Sequence, residues 1–398
     1  MDVAQSMETS SGEAIKCIDM HTTGEPTRIV YSGFPRLEGT LLDQRDQARN
    51  EYDHLRKRLM LEPRGHFDMY GAIIIQDTEL VRNGTADIGV LFTTNSGYST
   101  MCGHATIALG RFLVDTHDLT VFPKRDGLVW DQASRQITLN IHAPCGLVSV
   151  QVPTTADGRK SDPSRQVGFL SSPAYPVAMG LTIPIPKEVR WPELGDRESV
   201  TLDISYGGAF YALIPARELG FDQGLGRVDL ASMTSAVKRL KPYLSSHAEV
   251  VQALRHAEDE RLSFLYSVMV VDDTVGSKPP GVEGTETGLC IFADNQIDRS
   301  PTGSCVTARM ALAHAKGNRP VGQRWAYNSL VSNHFNEGAF TATIYDDKVH
   351  VTEFNGNVRP AVIVRVEGSA FYTGAMTFIV EEEDVTGQSG FTMEGVTK

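Results

Sequence analysis

Residues 101–115 read MCGHATIALGRFLVD, and residues 300–317 read SPTGSCVTARMALAHAKG. Each is a polar turn, a glycine and then a mostly apolar run at helical length, which predicts buried helices over 105–115 and 305–316, the second stopped by Gly317. The two stretches align so that Cys102-Gly103-His104 falls on Thr302-Gly303-Ser304. Their separation far exceeds the period of any solenoid array, so the echo predicts two similar halves. Two such helices aimed at a shared cleft would join their unsatisfied N–H groups and dipoles into an anion site fit for a carboxylate.

The rest of the chain fits an α/β (α+β) protein built from two such halves. Short apolar runs punctuated by Gly and Pro, such as AIIIQ (72–76), IGVLF (88–92) and VTLDISYGGAFYALI (200–214), read as strands. Residues 41–60 carry no Gly or Pro and predict one surface helix whose charges form a solvated face. A helical block over 229–258 should kink or split near Pro242. The expected organisation is a flexible tail at 1–13, a first half from 14–197 plus 369–398, and a second half at 198–368.

The 398 residues exceed one ordinary core and match two domains of the usual ~150 residues. With 41% hydrophobic and 22% charged residues the composition is globular. The balance of 37 basic against 49 acidic residues, −12, leaves no cationic surplus for a nucleic-acid backbone, so no nucleic-acid partner is expected. No run approaches the ~20 apolar residues of a membrane helix, and the polar opening MDVAQSMETSSGEA lacks the features of a signal peptide. A cytoplasmic enzyme with no membrane partner is the expectation. Five scattered cysteines form neither CxxC pairs nor zinc-type spacings, so neither a disulfide framework nor a metal site is expected.

Cys102 is the sharpest candidate. A cysteine just ahead of a helix, followed by glycine, sits where N–H groups and the dipole stabilise a thiolate. His104 could donate to a substrate or cap locally. Asp298, four residues before Thr302, could accept from a substrate ammonium, or be a turn aspartate. Thr302, Gly303 and Ser304 could serve a ligand or form an N-cap with its glycine. Gly207-Gly208 implies close backbone approach, to a ligand or at a bulge. HTTGEPTR (21–28) reads as a rigid structural turn, and Cys17, Cys145 and Cys290, all in strand-like runs, as packing.

Together, MCGHATIALGRF, DRSPTGS, HTTGEPTR, PRGHFDMYGAI and YGGAFYA resemble the proline racemase superfamily, over nearly the whole chain from about 15 to 380. The resemblance implies a cofactor-independent homodimer acting on a small imino acid. It also implies two diaminopimelate epimerase-like halves, each a mostly antiparallel sheet or barrel around a central helix, with the active site in the cleft between them. In the racemases and epimerases of the family, two cysteines face opposite sides of the substrate α-carbon. Cys102 matches one of them. The other lies in DRSPCGTG, and Thr302 stands at its place.

A racemase must take a proton from one face and return it to the other, and a threonine hydroxyl lacks the acidity to do so. The Cys/Thr pairing resembles the family's trans-3-hydroxy-L-proline dehydratases. In that substrate the α-hydrogen and the 3-hydroxyl lie on one ring face, so a single thiol could remove the first and protonate the second. The family places carboxylate donors at Gly103, His104, Gly303 and Ser304, and Asp298 near the ring nitrogen. Phe292 is expected as an apolar wall that excludes water. The alternative is an epimerase or racemase that uses Cys305 as its second thiol. Cys305 lies roughly 4.5 Å of helical rise beyond Thr302 and is expected to point into packing.

Overall fold

The computed structural model describes residues 14–353, 356–381 and 383–397; the tail expected at 1–13 lies outside the described residues. The chain divides into two compact units. The first runs through Thr100, resumes over His104–Val167 and returns from Ser369; the second comprises Met101–Gly103 and Gly168–Gly368. The junction expected at 197/198 therefore falls at 167/168. Residues 168–197 group with the second unit because their strands find their ladder partners there.

In the first unit the strands are β1 (Ile15–Thr22), β2 (Glu25–Ser32), β3 (Gly71–Ile75), β4 (Ile88–Thr93), β5 (Tyr98–Ser99), β6 (Trp130–Asp131), β7 (Gln136–Ala143) and β8 (Gly146–Pro153). The last strand of the chain, β19 (Ala370–Phe378), joins them. The ladder runs β19-β1-β2-β3-β4-β7-β8, antiparallel except at β2/β3 and β4/β7. Thr23 and Gly24, both at positive φ, make the two-residue turn between β1 and β2 that matches strand twist.

The second unit contains β9 (Val167–Leu170), β10 (Tyr175–Pro184), β11 (Ser199–Tyr206), β12 (Phe210–Pro215), β13 (Leu265–Asp272), β14 (Gly284–Phe292), β15 (Gln296–Ile297), β16 (Arg324–Asn328), β17 (Phe340–Thr352) and β18 (Val358–Gly368). Its ladder runs β10-β11-β12-β13-β14-β16-β17-β18-β9. It is parallel at β12/β13 and β14/β16 and antiparallel at the other registered pairs. From β10 to β17 this order and polarity repeat those of the first unit from β19 to β8. The duplication read from the two helices thus extends to the sheets.

Each ladder is paired with one helix, Gly103–Asp115 or Gly303–Ala315. Residues 103–114 and 303–312 are buried without interruption, as a helix enclosed on all sides requires. Gly110 lies against Val150 and Val152 of β8, and Gly207 against the backbone of Ser304 and Ala308. The close approach expected at Gly207-Gly208 is therefore the turn between β11 and β12 meeting a helix. The helix Leu230–Ser246 carries Pro242 internally and buries Met233, Ala236, Val237, Leu240 and Leu244; the split comes later, at His247, before Ala248–Ala253.

Two local expectations change. Residues 41–60 form two helices, Leu41–Glu51 and Asp53–Met60, broken at Tyr52, and Arg45, Arg56 and Arg58 are buried. Arg56 pairs with Asp53 and donates to the carbonyls of Thr94 and Asn95, so the charge serves the interior. Cys145 sits in the turn between β7 and β8, not in a strand. Among the described residues, no helix is long and apolar enough to cross a membrane.

Candidate active site

The second unit gathers Cys102, Gly103, Phe292, Asp298, Thr302, Gly303 and Ser304, while His104 belongs to the first. Antiparallel β14 and β15 carry the chain into the loop Asp298–Thr302, with the N–H of Asp298 donating to the carbonyl of Cys290 at 3.0 Å. The Asp298 carboxylate accepts from the Ser300 N–H and from the Thr302 hydroxyl, each at 2.7 Å. Burial pushes its pKa up to about 6, against the opposing pull of these hydrogen bonds.

Thr302 stands at the N-cap of the Gly303–Ala315 helix with φ +62°, and its side chain makes no capping bond. A β-branched residue in the left-handed region is strained, and such strain persists only where surrounding contacts hold it. Here the Thr302 N–H donates to Ser300 Oγ and the hydroxyl to Asp298. Thr302 is therefore the N-cap residue by position, without a capping side chain. Its side chain leaves the N–H groups of the first helical turn uncapped.

Gly103 meets Gly303 directly: a β-carbon on Gly103 would lie 2.5 Å from the Gly303 Cα, and one on Gly303 would lie 2.9 Å from the Gly103 Cα. Only glycine at both positions permits this approach. It sets Cys102, buried at 4% exposure, next in sequence to the glycine that touches the residue after Thr302. All five cysteines are free of disulfides.

Ser304 Oγ lies 2.6 Å from the hydroxyl of Tyr211 on β12. Tyr211 meets Tyr266 edge-on, and Tyr266 stacks on Phe292 with centroids 5.8 Å apart. Phe292 is thus one member of an aromatic row whose middle ring, Tyr266, is half-buried. The sequence reading missed Tyr211 and Tyr266; only the β12/β13 pairing brings them to the helix.

Cys290 and Cys305 are both buried, and burial raises both thiols, Cys290 to about 12 and Cys305 well above the usual thiol range. Cys305 lies among Cys290, Arg309 and Glu286. Burial of this kind opposes the ionisation that a second base would need.

In the first unit His104 is buried, with Tyr70 edge-on at 4.6 Å. Burial lowers its pKa to about 3, against a hydrogen bond to the Pro26 carbonyl, so the ring is neutral at pH 7. Thr22 donates to the His104 carbonyl at 3.0 Å. HTTGEPTR therefore does structural service for His104. Its Arg28 pairs with Asp19 through two bonds and donates to the carbonyls of Leu59 and Arg64. Among the described residues, no group of three or more His, Cys, Asp or Glu side chains could hold a metal ion.

Residues 17–392 match the proline racemase family, and the chain belongs to it. It is similar to the trans-L-3-hydroxyproline dehydratase of Bos taurus, with 41% identity over 378 residues, 93% of this chain and 92% of that protein. It is also similar, at 32% identity over 373 residues, to the proline racemase of Clostridioides difficile, covering 93% of this chain and 96% of that one. Among solved structures, a probable proline racemase from Agrobacterium radiobacter K84 shares the fold with a TM-score of 0.75 at 22% identity, covering 95% of this chain and 96% of that chain.

Proposed function

We propose that this protein is a hydro-lyase that dehydrates trans-3-hydroxy-L-proline to Δ1-pyrroline-2-carboxylate. The observation that carries the reading is Thr302, which stands where the racemase motif has its second cysteine and commits its hydroxyl hydrogen to Asp298. The 41% identity to a relative named as this dehydratase, against 32% to a named racemase, supports it.

In the proposed reaction the Cys102 thiolate removes the α-hydrogen, and the freed electron pair forms the C2–C3 double bond. The C3–O bond breaks, and the departing hydroxide takes the proton back from Cys102 to leave as water. The resulting 2,3-enamine tautomerises to the cyclic imine. Substrate carboxylate charge, which grows as the α-proton leaves, is held by N–H groups of Gly103, His104, Gly303 and Ser304 at the helix starts. Ionised Asp298 accepts from the ring ammonium, Thr302 positions the substrate, and Phe292 with its aromatic neighbours keeps water out. One thiol supplies both acid and base, so the chemistry as written calls for no cofactor. The family resemblance adds a homodimer, and five cysteines joined by no disulfide fit a reducing compartment.

The test offers trans-3-, cis-3- and trans-4-hydroxy-L-proline and L-proline separately in deuterated water, trapping cyclic imine with o-aminobenzaldehyde. Imine from the trans-3 isomer alone is the expected result. Inversion with α-deuteration of L-proline or trans-4-hydroxy-L-proline, without imine, would replace this reading with an epimerase.

A further inference from the structure

The motif YGGAFYA (206–212) has no part in the proposed proton transfers, yet it closes on one residue of the helix start, Ser304. The turn between β11 and β12 holds the backbone there. A β-carbon on Gly207 would collide with the Ser304 carbonyl and the Ala308 nitrogen, and Ser205 Oγ donates to the Ala308 carbonyl at 2.8 Å. β12 holds the side chain, through the 2.6 Å contact between the Tyr211 hydroxyl and Ser304 Oγ. Alternation along β12 sends Phe210 and Ala212 into the core on one face and leaves Tyr211 on the other, toward the helix.

By position alone either oxygen could be the donor. Among the described residues neither hydroxyl has a second hydrogen-bond partner, and both side chains are buried, Tyr211 completely. The pair therefore leaves one of its two hydrogens over. A phenol is the stronger acid, and its oxygen, conjugated with the ring, is the poorer acceptor, so the tyrosine hydrogen goes to the serine. Burial holds the phenol well above its usual range, which keeps that hydrogen in place. The hydrogen left over is the one on Ser304, in the first turn of a helix whose N–H groups Thr302 leaves uncapped.

We propose that Tyr211 is a positioning residue for the substrate carboxylate: it occupies the acceptor side of Ser304 and so turns the serine hydrogen toward the carboxylate held by the neighbouring N–H groups. The chain from Tyr211 O–H through Ser304 Oγ–H to carboxylate is cooperative, because a hydroxyl that accepts a hydrogen bond becomes a stronger donor. Its pull is greatest as charge grows on the carboxylate during loss of the α-proton. The assignment rests on the proposed reading in that a carboxylate occupies the helix start, but not on which imino acid carries it.

The experiment is a double-mutant cycle on wild type, Tyr211→Phe, Ser304→Ala and the double variant. Calorimetric binding of pyrrole-2-carboxylate is the readout, with kcat/KM on trans-3-hydroxy-L-proline alongside. Ser304→Ala removes the donor and should weaken binding roughly tenfold or more. Tyr211→Phe keeps the ring and its volume and should weaken binding about 3–10-fold with an unchanged circular dichroism spectrum. The double variant should bind no more weakly than Ser304→Ala, because the phenol acts only through the serine. Ser304→Thr, which keeps the hydroxyl, should bind close to wild type. A packing role would lower the urea midpoint of Tyr211→Phe and leave its affinity unchanged. That result, or losses that multiply in the double variant, would overturn the inference. The expected cycle in a protein that does not turn over trans-3-hydroxy-L-proline would support the role of Tyr211 and overturn the substrate reading, and a wild type that does not bind pyrrole-2-carboxylate would overturn both.

Discussion

Gly103 and Gly303 touch backbone to backbone, so that neither can carry a side chain without displacing the other. Because the obstacle is main chain and not the end of a flexible side chain, Gly103→Ala cannot be absorbed by a rotamer change. The variant should lose about 1–3 kcal/mol of stability and most dehydratase activity, as read by urea unfolding and imine formation. Full activity at unchanged stability would mean that the two helix starts tolerate separation.

Cys102→Ser tests the proposed base. Serine keeps the shape and the buried position but supplies no comparable anion, so turnover should fall by about 10²–10⁴-fold with the circular dichroism spectrum unchanged. Planar pyrrole-2-carboxylate should compete with substrate and slow iodoacetamide labelling of Cys102 in the wild type. Near-normal turnover by the serine variant would remove Cys102 from its role.

Thr302→Cys tests the choice of reaction. Cysteine removes the β-branch from a residue held at φ +62°, so the helix start should survive. The variant should gain α-proton exchange with inversion on L-proline or trans-4-hydroxy-L-proline while retaining part of its dehydration. Thr302→Ala should keep more dehydratase activity than Cys102→Ser. Chiral chromatography with deuterium uptake reads all three. A folded Thr302→Cys without exchange on any proline would show that residue 302 does not face the α-carbon.

Asp298, with its pKa raised to about 6 by burial, should govern the acid side of the pH profile. The carboxylate must be ionised to accept from a substrate ammonium. Activity should therefore rise with pH through about 6, and kcat/KM should fall roughly tenfold per unit below it. Asp298→Asn should be weakly active and lack this limb. A wild-type profile flat from pH 5 to 7 would contradict the assignment.

His104 contributes to acid stability in a defined direction. Its folded pKa, about 3, lies below the unfolded value of 6.5, so the native state resists protonation that the unfolded chain accepts. Stability from this residue is complete above about pH 6.5 and is lost progressively as pH falls toward 3. His104→Gln cannot take up that proton and still offers a donor toward Pro26. Its urea midpoint should fall less between pH 7 and pH 5 than that of wild type; equal losses would refute the account.

The parts of the protein legible in sequence were those that depend on local pattern. Mostly apolar composition marked the helices behind Gly103 and Gly303, and Thr302 was visible as a departure from a motif. The roles of Tyr211 and Tyr266 were not, because they come from strand register: Tyr211 lies opposite Ser267, the neighbour of Tyr266 on β13. A tyrosine 93 positions before Ser304 carries no local sign of its bond. Arg56 looked like a solvated charge because the carbonyls that bury it, at Thr94 and Asn95, are set by distant chain. The junction at 167/168 was misplaced for a like reason: strand partners, not composition, assign residues 168–197 to their unit.

The place of β19 bears on how the molecule is made. It pairs along the whole of β1, from Ile15 opposite Phe378 to Thr22 opposite Ala370, whereas the second unit ends at Gly368. During synthesis from the N-terminus, every strand of the second unit has emerged before the first unit can acquire its last. The half that begins first is therefore the half that finishes last, and its β1 edge stays open until Ala370–Phe378 has left the ribosome.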